Sequence, residues 1–329
     1  MTEALVVDSL HVSYITQSGL VPALRNVSLS IASNEILGLV GESGSGKSTM
    51  AQAVMRLLKP DVATVDGRIL VDGQDLYQLT PEELRLTRWR KIAMVFQSSM
   101  NALNPVLSIQ EHFADTMEAH IPGITRDEIL KRTADLLEQV RLDPAVARSY
   151  AHELSGGMRQ RVVIALSLAL DPSVLIMDEP TTALDVVVQR SILDEIAALQ
   201  KQRQLAVLFI SHDFNLVSGL ANRIAVMYAG EIMEITDRGM ALEDAREHHP
   251  YTQGLMRAAP RLVGTKVSIE GIPGEPPDMT QLGPGCPFFD RCPERLPMCR
   301  TTPLPSKSGR VYIRCHAMPD PVVEKVKRP

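Results

Sequence analysis

Along this chain, short continuous apolar runs alternate with apolar residues at helical spacing, and that alternation orders the elements. An antiparallel opening is expected from Ala4 to Tyr14 and from Val27 to Ile31. Ile36-Leu37-Gly38-Leu39-Val40 reads as a buried parallel strand, and from Met50 to Leu58 the apolar residues recur at the helical interval. Short strands are expected around Arg68–Val71 and Lys91–Phe96, and signals between about residues 100 and 170 are mainly helical. Thr125, with Glu128 three residues on, forms a capping box ahead of a stripe made by Ile129, Leu136, Leu137 and Val140. Strands return at Val174–Met177, Ala206–Ile210 and Arg223–Met227, with a helix over Val186–Gln202 between the first two. Neither an internal repeat nor a low-complexity tract is present.

The first buried strand runs into Gly41-Glu42-Ser43-Gly44-Ser45-Gly46-Lys47-Ser48-Thr49. Strand, glycine-rich loop and helix in that order are the context of a Walker A phosphate loop. Backbone N–H groups surround a polyphosphate only where no Cβ blocks approach, which Gly41, Gly44 and Gly46 provide, and the helix N-terminus adds its positive end. Lys47 is placed for the β- and γ-phosphates, and the Ser48 hydroxyl for Mg2+. The alternative, a tight glycine turn with a chance lysine, does not account for the full eight-residue pattern. The loop implies a nucleoside triphosphate ligand.

Composition narrows the setting. The 329 residues allow one large domain and an appendage, and a net charge of −5 offers no global positive field for nucleic acid. Lys325-Val326-Lys327-Arg328 reads as a solvated tail. The longest apolar runs, such as Val162 to Leu170, fall short of a bilayer span, and Met1-Thr2-Glu3 does not open a signal peptide, so a cytosolic chain is expected. Fourteen of the 22 prolines and all four cysteines lie from residue 246 onward. That density does not suit a parallel-sheet core, which places a domain boundary at about 240–250 before a loop-rich module.

Ser173-Val174-Leu175-Ile176-Met177-Asp178-Glu179 is a buried strand ending in two carboxylates, the Walker B arrangement. Asp178 is placed to hold Mg2+ through its water shell, and Glu179 to polarise an attacking water. Alone, such a strand end could as well be a pair of solvated acids. Leu154-Ser155-Gly156-Gly157-Met158 precedes it by 19 residues and is followed by a long helical run from Arg159 to Leu170, making a second anion site from a hydroxyl, two glycine amides and a helix N-terminus. This stretch resembles the signature sequence of ABC-type ATPases, with Met158 where glutamine is commonest. Four smaller matches follow in order. Tyr14 resembles the aromatic residue that stacks on adenine, and Gln97 the Q-loop glutamine that touches Mg2+ and senses the membrane subunit. Ala183-Leu184-Asp185 resembles the D-loop, and His212 the switch histidine at the γ-phosphate. Singly, each reads as well as a core tyrosine, a surface glutamine, a turn aspartate or a capping histidine; their order and spacing carry the resemblance. His249-Pro250-Tyr251, Gly285-Cys286-Pro287 and Arg291-Cys292-Pro293 resemble the C-terminal extension of oligopeptide/dipeptide-permease ATPase subunits.

The resemblance implies an α/β fold: a P-loop ABC ATPase with a mixed-sheet core, an antiparallel β subdomain and a helical subdomain at about 98–170. A nucleotide-binding domain over residues 1–245 would precede an extension over 246–329. It implies an ATP-hydrolysing importer subunit, peripheral on the cytoplasmic face of the membrane, driving uptake of peptides or related solutes. ATP and Mg2+ are the expected ligands, with Ser155, Gly156, Gly157 and Asp185 serving nucleotide held by the opposing subunit. Expected partners are a second, paralogous ATPase subunit, two transmembrane permease subunits and an extracytoplasmic solute-binding protein. DNA-maintenance ABC ATPases insert long coiled coils between Walker A and signature, and translation-associated ones carry two cassettes; this chain has one cassette and no sustained heptads.

Cys286, Cys292, Cys299 and Cys315 are spaced C-x5-C-x6-C-x15-C. Four thiolates closing Pro-rich loops suit a metal centre, either an iron–sulfur cluster or Zn2+, although structural zinc usually takes cysteines two to four residues apart. A cytosolic setting disfavours disulfides. Resemblance to the permease extension favours [4Fe–4S] at these four positions, with His316 a neighbour or substitute ligand.

Overall fold

The computed structural model describes residues 2–97, 102–182, 184–241, 247–258, 271–307 and 311–318. β1 (Glu3–Thr16) and β2 (Gly19–Ala32) form a hairpin through a two-residue turn, longer than the opening expected from pattern alone. β3 (Ile36–Val40) is buried throughout, and α1 (Lys47–Val54) begins at the phosphate-loop lysine itself. β4 (Ala63–Val71) and β5 (Gln74–Asp75) precede α2 (Pro81–Thr87) and β6 (Ile92–Val95). Then come α3 (Ile109–Glu118), α4 (Arg126–Gln139), α5 (Gly156–Ser167), β7 (Val174–Asp178), α6 (Val186–Arg203) and β8 (Ala206–Ser211). α7 (Phe214–Leu220), β9 (Arg223–Tyr228), β10 (Glu231–Asp237), α8 (Arg238–Ala241), α9 (Pro250–Ala258), β11 (Ser306–Lys307) and β12 (Tyr312–Arg314) complete the order.

Two compact units share these elements, and both take discontinuous stretches of chain. The first comprises residues 1–6, 30–36 and 69–209. Within it β6 and β7 pair in parallel, Ile92 opposite Val174 and Val95 opposite Met177, as two buried apolar runs do when both faces are covered. Its helices start on side-chain caps. Thr80 with Glu83, Ser108 with Glu111 and Thr125 with Glu128 are each complete capping boxes, satisfying N–H groups that the first helical turn leaves unpaired. The α4 stripe of Ile129, Leu136, Leu137 and Val140 is buried, as its spacing predicts.

The second unit comprises residues 7–29, 37–68 and 210–329. Here β3 pairs in parallel with β9, Leu37 opposite Arg223 and Val40 opposite Val226. β9 and β10 are antiparallel with an irregularity between Ile232 and Glu234, β10 and β12 are antiparallel, and so are β12 and β11. Parallel and antiparallel pairings thus mix in one unit. The C-terminal segment, expected to be rich in loops, also carries an apolar cluster of its own. Val311, Ile313, Cys315 and Met318 form a buried cluster beside Ala317. Tyr228, Tyr251 and Phe288 pack as a trio, with ring centroids 4.6, 5.2 and 5.3 Å apart. Strand pairing and aromatic contact therefore hold a segment whose prolines suggested loops alone.

His249 lies within this packing. Its Nδ1 accepts the Tyr251 N–H at 3.0 Å, and its own N–H donates to Glu234 Oε2 at 2.9 Å. Burial, with the Arg314 charge adding to it, lowers the imidazole pKa to about 3. The unfolded chain therefore takes up a proton below about pH 6.5 that the folded chain refuses, and stability falls as pH drops through that window. The loss approaches about 1.4 kcal/mol per pH unit. Urea unfolding of wild type and His249→Asn between pH 7 and about 4 is expected to show a shallower slope in the variant; parallel slopes would remove His249 as the cause.

Candidate functional site

In the second unit the phosphate loop is built on two close backbone approaches and one left-handed turn. A Cβ on Gly41 would stand 2.2 Å from the Met227 carbonyl oxygen and 2.8 Å from Ser45 Oγ. Gly46, at φ 108°, is the N-cap of α1, and a Cβ there would lie 2.8 Å from the Ala23 carbonyl oxygen. Gly44 has φ 79°, a left-handed turn that glycine adopts without steric cost. Ser43 and Gly44 are exposed at the loop tip, whereas Ser45 and Lys47 are buried. Lys47 Nζ donates to the carbonyls of Gly41 and Glu42, each at 2.8 Å, so the cation lies inside the curve of the loop. Ser48 and Thr49 are on the first turn of α1, and Thr49 Oγ1 is 3.1 Å from the Tyr14 hydroxyl. His212 is exposed one residue past β8, immediately before Asp213, which caps α7 by accepting from Asn215 N and Leu216 N.

The first unit places the remaining residues. Because Val95 sits opposite Met177, the register carries Gln97 alongside Glu179 just beyond the two strand ends. Gln97 Nε2 donates to Glu179 Oε2 at 3.2 Å, and Thr182 Oγ1 donates to the same oxygen at 3.0 Å. Asp178, the last residue of β7, is buried, and Glu179 follows at φ 47°, a left-handed conformation that non-glycine residues seldom adopt. Such strain concentrates where side-chain direction matters.

Ser155 is the N-cap of α5, its Oγ accepting from Met158 N at 3.3 Å, with Gly156 and Gly157 in the first turn. Asp185 caps α6, accepting from Val187 N and Val188 N at 3.1 and 2.9 Å. The two helix starts meet: a Cβ on Gly157 would lie 2.7 Å from Val188 Cγ1. Arg161 locks them with a two-pronged pair to buried Glu195 at 2.9 and 2.8 Å. Ser155–Gly157 and Asp185 therefore form one rigid edge, while Ala183, expected beside Asp185, lies outside the described residues.

The cysteines form no disulfide, and Cys299 and Cys315 are buried. Burial pushes the Cys286 thiol up to about 12 and the Cys292 thiol to about 11, and raises Cys315, with the charges of neighbouring thiols adding to each. The four sulfurs thus share one neighbourhood, and Cys286 N donates to the Cys299 carbonyl at 2.7 Å. The donor chemistry suits four-thiolate ligation, but the arrangement does not. Among the described residues no group of three or more His, Cys, Asp or Glu is placed to hold a metal ion. To that extent the structure does not show the expected metal centre, and burial holds the Cys286, Cys292 and Cys315 thiols above their ordinary range. His316 Nε2 faces the Thr302 carbonyl at 3.3 Å.

Two contacts to the phosphate loop carry no local sequence signal. The Tyr251 hydroxyl accepts the Glu42 N–H at 2.8 Å, and Arg291 grips the Glu42 carboxylate at 2.6 and 2.9 Å. Each partner lies more than two hundred residues from Glu42, and both stand in stretches marked only by resemblance to a permease extension.

Comparison with known proteins fits this arrangement. A family model described as ABC transporter matches residues 24–182, and one described as the oligopeptide/dipeptide transporter C-terminal region matches residues 233–299. The dipeptide transport ATP-binding protein DppD of Bacillus subtilis is 42% identical over 302 residues, covering 91% of this chain and 89% of its own. Its namesake in Caldanaerobacter subterraneus is 37% identical over 319 residues, covering 96% and 97%. The chain belongs to the ABC transporter ATP-binding family. The dimeric structure of a bacterial ABC transporter cassette is similar at a TM-score of 0.63 and 30% identity, over 71% of this chain and 98% of that one. That cassette was also solved in a post-hydrolysis state with ADP and Pi. The mixed and antiparallel sheets and helices described above are those of an ABC ATPase, and no helix among the described residues is long and apolar enough to cross a membrane.

Gly41 gives the local test. A methyl there meets a backbone carbonyl that cannot swing away, so Gly41→Ala is expected to cost more than about 2 kcal/mol of stability. A thermal midpoint within about a degree of wild type would show that the loop can relax.

Proposed function

We propose that this chain is the ATP-hydrolysing subunit of an ABC importer for peptides or related small solutes. The observation that carries the reading is the Gln97–Glu179 hydrogen bond at the ends of β6 and β7. It joins a carboxylate suited to activate water to the glutamine expected to respond to a membrane subunit. The relatives' role as dipeptide transport ATP-binding proteins supports the solute class.

In this reading Lys47 and the amides of Gly41 to Thr49 hold the phosphates of ATP, and Tyr14 packs on its base. Ser48, Gln97 and Asp178 carry oxygen donors of the kind Mg2+ takes, and the ion would neutralise phosphate charge. Glu179 takes the proton of the attacking water; its oxygen already accepts two hydrogen bonds, which fixes its direction. His212 contacts the γ-phosphate. Ser155, Gly156, Gly157 and Asp185 complete the site of a second, paralogous ATPase subunit; the dimeric cassette relative supports the pairing of two such subunits. Most of the rate then comes from positioning and charge stabilisation. Two permease subunits and an extracytoplasmic binding protein would complete the transporter, with this chain on the cytoplasmic face. Residues 1–245 would form the nucleotide-binding domain, with its helical part at about 98–170, and residues 246–329 the extension.

Glu179→Gln tests the catalytic assignment. It is expected to keep ATP binding while lowering turnover of the assembled transporter by about a hundredfold or more. Turnover close to wild type, in complexes whose partner site is inactivated, would exclude Glu179 as the base.

The proposal extends to the four cysteines as ligands of a [4Fe–4S] cluster, with Zn2+ as the rival. Their shared neighbourhood and the family resemblance support it, and ligand geometry does not. Protein purified anaerobically is expected to be brown and to contain iron and sulfide. Iron-free protein with stoichiometric zinc, or metal-free protein with four titratable thiols, would overturn it.

A further inference from the structure

Glu42 is held at every polar group it possesses. Its N–H donates to the Tyr251 hydroxyl at 2.8 Å, its carbonyl accepts Lys47 Nζ at 2.8 Å, and its carboxylate takes both prongs of Arg291. Two of these three holds come from the C-terminal segment. The third comes from the lysine that must turn towards the β- and γ-phosphates when nucleotide arrives. Once Lys47 has turned, Arg291 and Tyr251 are the side chains that still hold Glu42, beside the Ser45 N–H that donates to its carbonyl at 3.2 Å.

Arg291 is itself built in. Nε donates to the Pro273 carbonyl at 2.8 Å, and a terminal nitrogen to the Ile272 carbonyl at 3.3 Å. The other terminal nitrogen donates to the Tyr228 hydroxyl at 3.2 Å. Its guanidinium carbon lies 5.7 Å from the centre of the Tyr228 ring and 5.9 Å from that of Phe288. Gly274, at φ 76°, leaves only 3.3 Å between a would-be Cβ and Arg291 Cγ. With its side chain 6% exposed, Arg291 is a fixed cation that bonds, packing and the backbone all aim at one carboxylate. Planar two-pronged pairing of this kind fixes geometry as well as charge.

A carboxylate in a loop that must receive a polyphosphate repels its ligand unless its charge is countered nearby. We propose that Arg291 and Tyr251 are positioning residues for ATP binding: the C-terminal extension neutralises Glu42 and anchors the phosphate loop through it. The proposal rests on the ATPase reading above. It assigns the extension a part in the nucleotide site, and it requires no metal at the cysteines.

MgATP and MgADP affinities of the full-length chain, measured by calorimetry, test it together with the KM and kcat of the assembled transporter. Arg291→Ala is expected to raise the Kd and KM for ATP about tenfold, with kcat falling less than about threefold. ADP, with less charge to repel, is expected to weaken less than ATP. The double variant E42Q/R291A is expected to bind ATP at least about threefold more tightly than R291A, because the uncountered charge is gone. Tyr251→Phe removes one hydroxyl from a packed ring and decides the matter should R291A fail to fold; its expected Kd for ATP is about threefold above wild type. Unchanged ATP affinity in either folded single variant overturns the proposal, as does equal weakening of ATP and ADP or a double variant no tighter than R291A. A wild-type chain that binds no MgATP sinks the ATPase reading itself. A wild type that binds while the variants match it sinks the positioning role alone.

Discussion

At the mouth of the phosphate loop three stretches of backbone come too close for any side chain to stand between them. The Met227 carbonyl occupies the space a Cβ on Gly41 would need, and the Ala23 carbonyl does the same for Gly46 and Gly230. The contacts that result are hydrogen bonds: Gly230 N donates to the Ser45 carbonyl at 2.9 Å, and Arg25 N to the Gly230 carbonyl at 2.8 Å. A loop that presents its own amides to an anion must have those amides pre-aimed, and its glycines offer no side chain by which to aim them. Here the β9–β10 turn and β2 aim it by direct backbone contact. Lys47 turned onto two loop carbonyls is consistent with a cradle held in shape before any anion enters.

Where a property depends on neighbours in sequence, it was legible there. The β3 and β7 runs, the Thr125 capping box with its stripe, and the loop glycines all act within a few residues. The starts of α1 and α5 were displaced for a physical reason. Both begin among glycines and polar residues, whose weak helix propensity hides the first turn from a reading based on apolar spacing. The pairing of Gln97 with Glu179 follows from strand register, which neither motif encodes alone. The C-terminal segment was the least legible part. Its proline count described the loops correctly, but it said nothing of a two-residue pairing with β10 or of aromatic rings drawn from three distant stretches.

Such long-range contacts also bear on whether the extension is an appendage. β10 reads Glu-Ile-Met-Glu-Ile-Thr-Asp, an unpromising sequence for a covered strand, yet Glu231 and Glu234 are both buried. A buried carboxylate is costly unless it is paired and hydrogen-bonded. Glu231 is paired with Arg314 at 2.7 Å and Arg25 at 3.1 Å, while Glu234 accepts from His248 Nδ1 and the His249 N–H. Arg314, His248 and His249 all follow β10 in sequence, and each partners a carboxylate that the strand presents to it. Removing them would leave both acids buried with most of their hydrogen bonds missing, a larger penalty than never having formed the pairs. The strand next to β9 is therefore written for the segment that covers it. Since β9 also carries the Met227 carbonyl against Gly41, the same few residues bear on the packing of the extension and on the seat of the phosphate loop.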